Sequence, residues 1–237
     1  FAILMKKTNP ECSITVIERN PADSTFGWGI VFSDETMAGF RDSDPELFGE
    51  IERNFHHWDD VDVFIKGRKL TSGGHGFAGM GRLKLIQILQ ARARELGITL
   101  QLGSEIQEPE QYIDTHDLVI AADGVNSATR TRYAEHFNPR IEEGKCRFIW
   151  LGIKKKLDAF TFVFRETPWG WFNLHAYQFN DEWATFIVET PEETWLKAGL
   201  DKMEPEQSIA FCEELFGDML GGEHLISNAK HLRGSAV

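Results

Sequence analysis

A chain of 237 residues, 42% of them hydrophobic and 26% charged, has an ordinary globular composition and is long enough to bury a sizeable core in one large domain or two smaller ones. Its net charge of -12 argues against nucleic acid as a partner, which clustered Lys and Arg would hold, so any anionic ligand must be met by local positive groups. Cys12, Cys146 and Cys212 are too scattered for a disulfide framework or a zinc site, which fits a reducing, cytoplasmic setting, and no apolar run reaches the roughly 18 residues of a membrane span.

The opening FAILMKKTNP reads as the last turns of an amphipathic helix, because Lys6 and Lys7 suit a helix C-terminus and Pro10 follows the stop. A short β-rich run, Ile14 to Ile17, then ends on Glu18. Helix, strand and acid is the order of a dinucleotide-binding unit, in which the acid holds a ribose, but no GxGxxG occurs and a strand ending in an exposed acid is the commoner reading. His56 and His57 are adjacent without further ligands, so no metal site is expected. VDVFIKGRKLTSGG predicts a hairpin turning at Lys66-Gly67. The glycines flanking His75 in SGGHGF suggest a tight approach to cofactor or substrate, with a structural histidine as the alternative.

GMGRLKLIQILQARARELGITLQL predicts a helix with an apolar stripe through Leu83, Ile86, Leu89, Ala93 and Leu96, stopped by Gly97 and followed by a strand. Arg82 in its first turn opposes the helix dipole, which a bound anion would explain; an Arg in solvent is the alternative. DLVIAADGVNSATR then predicts a buried strand that breaks at Asp123-Gly124 and re-enters as a helix. Bare backbone at Gly124 lets a ligand approach closely, although Asp-Gly alone is only a turn signal.

From CRFIWLGI through FTFVFRET, WGWFNLHAYQF and WATFIVET come four strand-like runs with no helix between them, which predicts an antiparallel sheet. Thr190-Pro191-Glu192-Glu193 then reads as the cap of one helix, and PEQSIAFCEELFG as a second. Aromatic residues make up 12% of the chain and crowd these strands, mostly as core, while a few would wall a ring pocket. His175 and Tyr177, at spacing two, share one strand face; His175 reads equally as a structural histidine.

Taken together, VIERN, TFGWGIVFSD, SGGHGFAGMGR, DLVIAADGVNSATR, WFNLHAYQF, TFIVETPEETW and SNAKHLRGSA resemble the flavoprotein aromatic hydroxylases of the para-hydroxybenzoate hydroxylase fold along nearly the whole chain. The likeness is nearest to members that act on salicylyl-CoA or 2-aminobenzoyl-CoA, and more distant to tryptophan-hydroxylating ones. It implies an α/β (α+β overall) architecture: a Rossmann-like FAD-binding domain over residues 1–140, with 55–80 partly in the other domain, and an antiparallel-sheet substrate domain over 141–237. The family's glycine-rich loop would precede Phe1 and its Gly-Asp motif would follow Val237, so the chain is expected to be an interior fragment.

The resemblance assigns Glu18 to the adenosine ribose of FAD and counts Arg19 among the cofactor contacts. Gly27, Trp28, Gly29 and Ile30 fall to the flavin ring, Arg82 to the phosphate or ribityl region, and Asp123 and Gly124 to the pyrophosphate and NAD(P)H binding, with Arg130 a further cofactor contact. It implies a monooxygenase in which NAD(P)H reduces FAD and O2 yields a flavin hydroperoxide that hydroxylates an aromatic ring. His175, His75 and Tyr177 are then the catalytic candidates for polarising the substrate. Lys154, Lys155 and Lys156, with Arg68 as second choice, would meet the phosphates of a CoA thioester; a solvated lysine turn is the alternative. Neither a membrane nor a nucleic acid is expected as a partner, and a homodimer is left open. Hydroxylation of a free aromatic acid or tryptophan, or a non-catalytic binding module of the same fold, are the competing readings.

Overall fold

The computed structural model describes residues 1–228; most of SNAKHLRGSA, from residue 229 on, lies outside the described residues. In chain order, α1 (Ala2–Thr8) leads to β1 (Thr15–Glu18), β2 (Gly29–Ser33), α2 (Asp34–Ser43) and α3 (Pro45–Glu52). Strands β3 (His56–Trp58), β4 (Val61–Ile65), β5 (Arg68–Ser72) and β6 (Phe77–Gly81) precede α4 (Arg82–Glu95) and β7 (Thr99–Leu102). Three short helices, α5 (Glu110–Ile113), α6 (Ala128–Arg132) and α7 (Ala134–Phe137), precede the strands β8 (Cys146–Ile153), β9 (Phe160–Thr167), β10 (Gly170–Gln178) and β11 (Ala184–Pro191). The described chain closes with α8 (Glu192–Lys197), α9 (Pro205–Leu215), α10 (Gly217–Leu220) and β12 (Leu225–Ile226).

Three sheets organise these elements. The largest has seven strands in the order β12-β8-β11-β10-β9-β4-β5, a second is β2-β6-β3, and a third is the parallel pair β1-β7. The four predicted strands form the antiparallel centre of the large sheet, and the Lys66-Gly67 hairpin extends it, with β4 parallel to β9. One face of this sheet is the main core: Leu151, Val163, Leu174, Phe186 and Val188 pack against Leu200, Cys212 and Phe216 from the helical segment. Burial in that core pushes the Cys212 thiol up to about 12, so it stays a small protonated hydrophobe.

A second core joins α2, α3 and α4 through Met37, Phe48, Ile51, Met80, Leu85 and Ile88. The buried stripe of α4 is Leu85, Ile88, Arg92 and Ala93; of the predicted line Ala93 is buried and Leu89 packs partly on this core, whereas Leu83 and Ile86 are half-buried outside it. The helix is apolar over much of its first two turns, so periodicity left its rotation open, and a polar contact set it. Arg92 binds Asp44, the cap between α2 and α3, at 2.9 and 3.1 Å, and Lys7 of α1 lies 3.2 Å from the same carboxylate.

Two local expectations are corrected. Thr190 does not cap α8: β11 runs on to Pro191, and the Thr190 hydroxyl donates instead to the Trp171 carbonyl at 2.7 Å. Residues 117–123 form no strand. Leu118 is 62% exposed and Ile120 49%, because no strand among the described residues lies beside them to supply a ladder.

Candidate functional site

The face of the large sheet opposite the main core carries the predicted catalytic residues. Direct cross-strand pairs share a face, so the registers give rows of neighbouring side chains. One row runs Arg68, Ile65, Phe164, Asn173, Glu189, Phe148 from β5 to β8. The next runs Leu70, Val63, Phe162, His175, Ile187, Trp150. A third places Tyr177 beside Thr185 and Gly152, with the Phe160 ring 5.3 Å away. The face is therefore aromatic, with a few polar groups set into it.

Sheet β2-β6-β3 covers the third row. Gly29 donates its N–H to Thr185 Oγ1 at 3.0 Å, and the buried Tyr177 hydroxyl donates to the Gly29 carbonyl at 3.1 Å. A Cβ on Gly29 would come within 2.7 Å of Phe179 and Thr185, and one on Gly152 within 2.6 Å of the Trp28 ring, so both positions need bare backbone. Gly27 packs on the Trp150 ring, and its φ of +73° also favours glycine. Trp28 stacks on Trp183 at 5.7 Å, and Ile30 lies in the second core. Burial raises the Tyr177 pKa, keeping its proton on the hydroxyl that holds Gly29.

Arg82 sits at this seam. Its guanidinium lies 4.4 Å over the Phe26 ring and 5.8 Å from Trp150, and its backbone N–H donates to the Trp28 carbonyl at 2.9 Å. Among the described residues no hydrogen bond or ion pair engages the guanidinium. The buried indole N–H groups of Trp28 and Trp150 likewise have no acceptor. Buried donors left unpaired are costly, so the two indoles, with half-buried Arg82 beside Trp150, fit a ligand rich in carbonyl or phosphate oxygens, as FAD is.

The Asp123-Gly124 corner is built differently. Asp123 accepts from the Ser127 hydroxyl at 2.6 Å and the Thr129 N–H at 3.0 Å, which holds its carboxyl down to about 2 and keeps it ionised. Gly124 has a φ of +83°, and nothing lies within 4 Å of where its Cβ would be, so the corner is open to an approaching ligand. Arg130 donates to the Val125 carbonyl at 2.6 Å, and its Nε is buried without an acceptor. No hydrogen bond or ion pair among the described residues links this corner to Glu18 or Arg82. Glu18 instead turns one carboxylate oxygen onto Asn20, accepting its backbone and side-chain N–H at 2.8 and 2.7 Å, and Arg19 is exposed beside it.

The remaining candidates separate. His175 lies 3.8 Å from Glu189; burial lowers its pKa while the carboxylate opposes that, and the net result is a neutral imidazole. His75 is exposed, bonded to the Ser72 hydroxyl at 2.8 Å and stacked on Phe77. Lys155 donates to the Met219 carbonyl and Lys154 lies 3.7 Å from Glu182, so two of the three predicted phosphate-binding lysines already have protein partners, whereas Lys156 is exposed. Arg68 stands at the outer edge of the aromatic face. Asn173 and Glu189 went unnoticed in the sequence, because only the β10–β11 register brings them together. An open cleft of about 600 Å³ between α3 and α4, lined by Glu46, Glu50, Lys84, Arg92 and Glu95, shares none of these groups.

Comparison with known proteins adds a second line of evidence. No family model matches the chain. The chain is 39% identical to salicyloyl-CoA 5-hydroxylase from a Streptomyces species, over 96% of this chain and 46% of that protein. It is 30% identical to protodeoxyviolaceinate monooxygenase of Chromobacterium violaceum, over 96% of this chain and 61% of the relative. It thus spans about half to three-fifths of the curated relatives it matches. Among solved structures, 2-methyl-3-hydroxypyridine-5-carboxylic acid oxygenase in its tetrameric form superposes with a TM-score of 0.71 at 16% identity, covering 95% of this chain and 65% of that one. A probable FAD-dependent monooxygenase from Pseudomonas aeruginosa gives 0.66 at 12%, covering 95% and 68%.

Proposed function

We propose that this chain, a relative of the flavoprotein aromatic hydroxylases with their fold, is the cofactor- and ring-holding part of an FAD-dependent monooxygenase that hydroxylates an aromatic acyl-CoA. The observation that carries the reading is the aromatic sheet face, which meets Arg82 and two buried indole donors at one seam, all without a hydrogen-bond acceptor among the described residues. The 39% identity to a salicyloyl-CoA hydroxylase supports the thioester over a free acid.

FAD, when bound, would supply the redox chemistry, taking reducing equivalents from NAD(P)H and activating O2 for transfer to the ring. The chain's own residues bind, orient and exclude water. Arg82 and the Trp28 and Trp150 indoles would hold oxygen atoms of the cofactor, and Gly124 and ionised Asp123 offer an open corner to its polar chain. Phe148, Phe162, Phe164 and Trp150 would wall the ring of the substrate and keep water from it. Tyr177 keeps its proton and positions the 26–29 turn through Gly29, while neutral His175 could accept a hydrogen bond from a ring hydroxyl or amine and so polarise it.

The test is a visible spectrum of the purified protein after FAD addition and desalting, followed by NAD(P)H oxidation with aromatic acyl-CoAs and with the free acids. A retained flavin band, with oxidation stimulated by the thioester and a hydroxylated product, is the expected outcome. Equal stimulation by a free acid or tryptophan would move the substrate class, and failure to hold FAD would mean either that the protein tested lacks the glycine-rich loop or that the chain is a binding module.

A further inference from the structure

Set into the otherwise apolar face is a compact polar island. Asn173 on β10 lies directly opposite Glu189 on β11, and His175, one position further along the same face, has its Nδ1 3.8 Å from the Glu189 carboxylate. Around them stand Phe148, Phe162, Phe164 and Ile187. The Asn173 side-chain oxygen is buried and has no hydrogen-bond partner among the described residues. A buried acceptor without a donor is a costly feature on a face with no packing need for it.

We propose that Asn173, His175 and Glu189 form an acceptor pole that orients the aromatic substrate by taking hydrogen bonds from a donor on its ring, an amine N–H or a phenol O–H. The inference rests on the monooxygenase reading and adds to it the residues that select the ring substituent. An amide can be turned either way about its χ2 torsion, so the carboxylate sets the character of the pole. Glu189 lies in the middle of the face, 38% exposed at its side chain and therefore reachable by a ligand. A ring carboxylate placed there would meet like charge, whereas a neutral donor would satisfy both the carboxylate and the orphaned amide oxygen. Neutral His175 adds a ring nitrogen able to accept from the same substituent.

The experiment measures, by calorimetry, binding of 2-aminobenzoate and of benzoate to the FAD-loaded protein, each as CoA thioester and as free acid. The pair differs only in the ring donor. The 2-amino compound should bind about tenfold or more tightly than its donorless partner. Glu189→Gln should narrow that ratio and Glu189→Leu with Asn173→Leu should bring it towards one, while the FAD content of both variants stays that of the parent. A ratio near one in the parent, or a ratio untouched by both variants, overturns the proposal. A protein that includes the glycine-rich loop and still holds no FAD overturns the monooxygenase reading as well, so the two failures are told apart by the flavin band.

Discussion

At the scale of single residues, two charges are set by their immediate surroundings. Asp123 is held ionised by a hydroxyl and a backbone N–H six residues on, so the 123–130 turn is a self-contained clasp. Asp123→Ala should speed hydrogen exchange at the Thr129 and Arg130 amides and weaken FAD retention, read by exchange mass spectrometry and by the flavin band after desalting. His175 is shifted in the same direction for a different reason, since burial disfavours its charged form. Its folded-state pKa lies below 6.5, so the unfolded chain binds more protons, and stability rises with pH until the pH passes 6.5. Urea denaturation of the parent should give a lower unfolding free energy at about pH 5 than at about pH 7. His175→Phe should remove part of that difference, whereas an unchanged slope would exclude His175 as its source.

At the scale of elements, the junction of four helices depends on one buried pair. Asp44 is 1% exposed, caps α3 through the Leu47 N–H, and receives Arg92 from α4 and Lys7 from α1. Burial would raise its pKa, but the Arg92, Leu47 and Lys7 contacts together outweigh that and lower it. Its stabilisation is therefore present above the unfolded value near 3.8 and is lost as pH falls through the folded one. Arg92→Met should cost about 3–5 kcal/mol in urea unfolding, because it strands a buried carboxylate, with Lys7 making good part of the loss. The segment 117–123 presents the opposite case: without a ladder partner among the described residues its amides should exchange rapidly in this chain, and slow exchange there would show that it pairs in solution.

At the scale of the whole molecule, the β2-β6-β3 layer meets the large sheet at Gly29, between Thr185 and Tyr177, with Trp28 lying on Gly152, and again where Trp58 and Phe77 pack on Phe160. Gly29→Ala should cost about 1–3 kcal/mol in thermal or urea unfolding, since the new methyl overlaps Phe179 and Thr185. The same change should lower FAD retention if the seam positions the cofactor, whereas loss of stability with normal FAD content would limit its role to packing.

Much of this was legible in the sequence because it is local. The helix at Ala2–Thr8 followed from Lys6, Lys7 and Pro10, the hairpin from Lys66-Gly67, and the antiparallel run from alternation and short turns. The motifs from Glu18 to the Asp123-Gly124 corner carried the likeness to the flavoprotein hydroxylases, which the fold and the relatives bear out. Tertiary structure decided what periodicity leaves open. It chose the buried side of α4 through Asp44, diverted the Thr190 hydroxyl to Trp171, and left Leu118 to Ala122 without a ladder. It also set Asn173 against Glu189, two residues 16 positions apart whose meeting depends on strand register. The physical reason is the same in each case: local composition sets which backbone shape a segment prefers, whereas its partner, face and charge state come from contacts with residues far away in the chain.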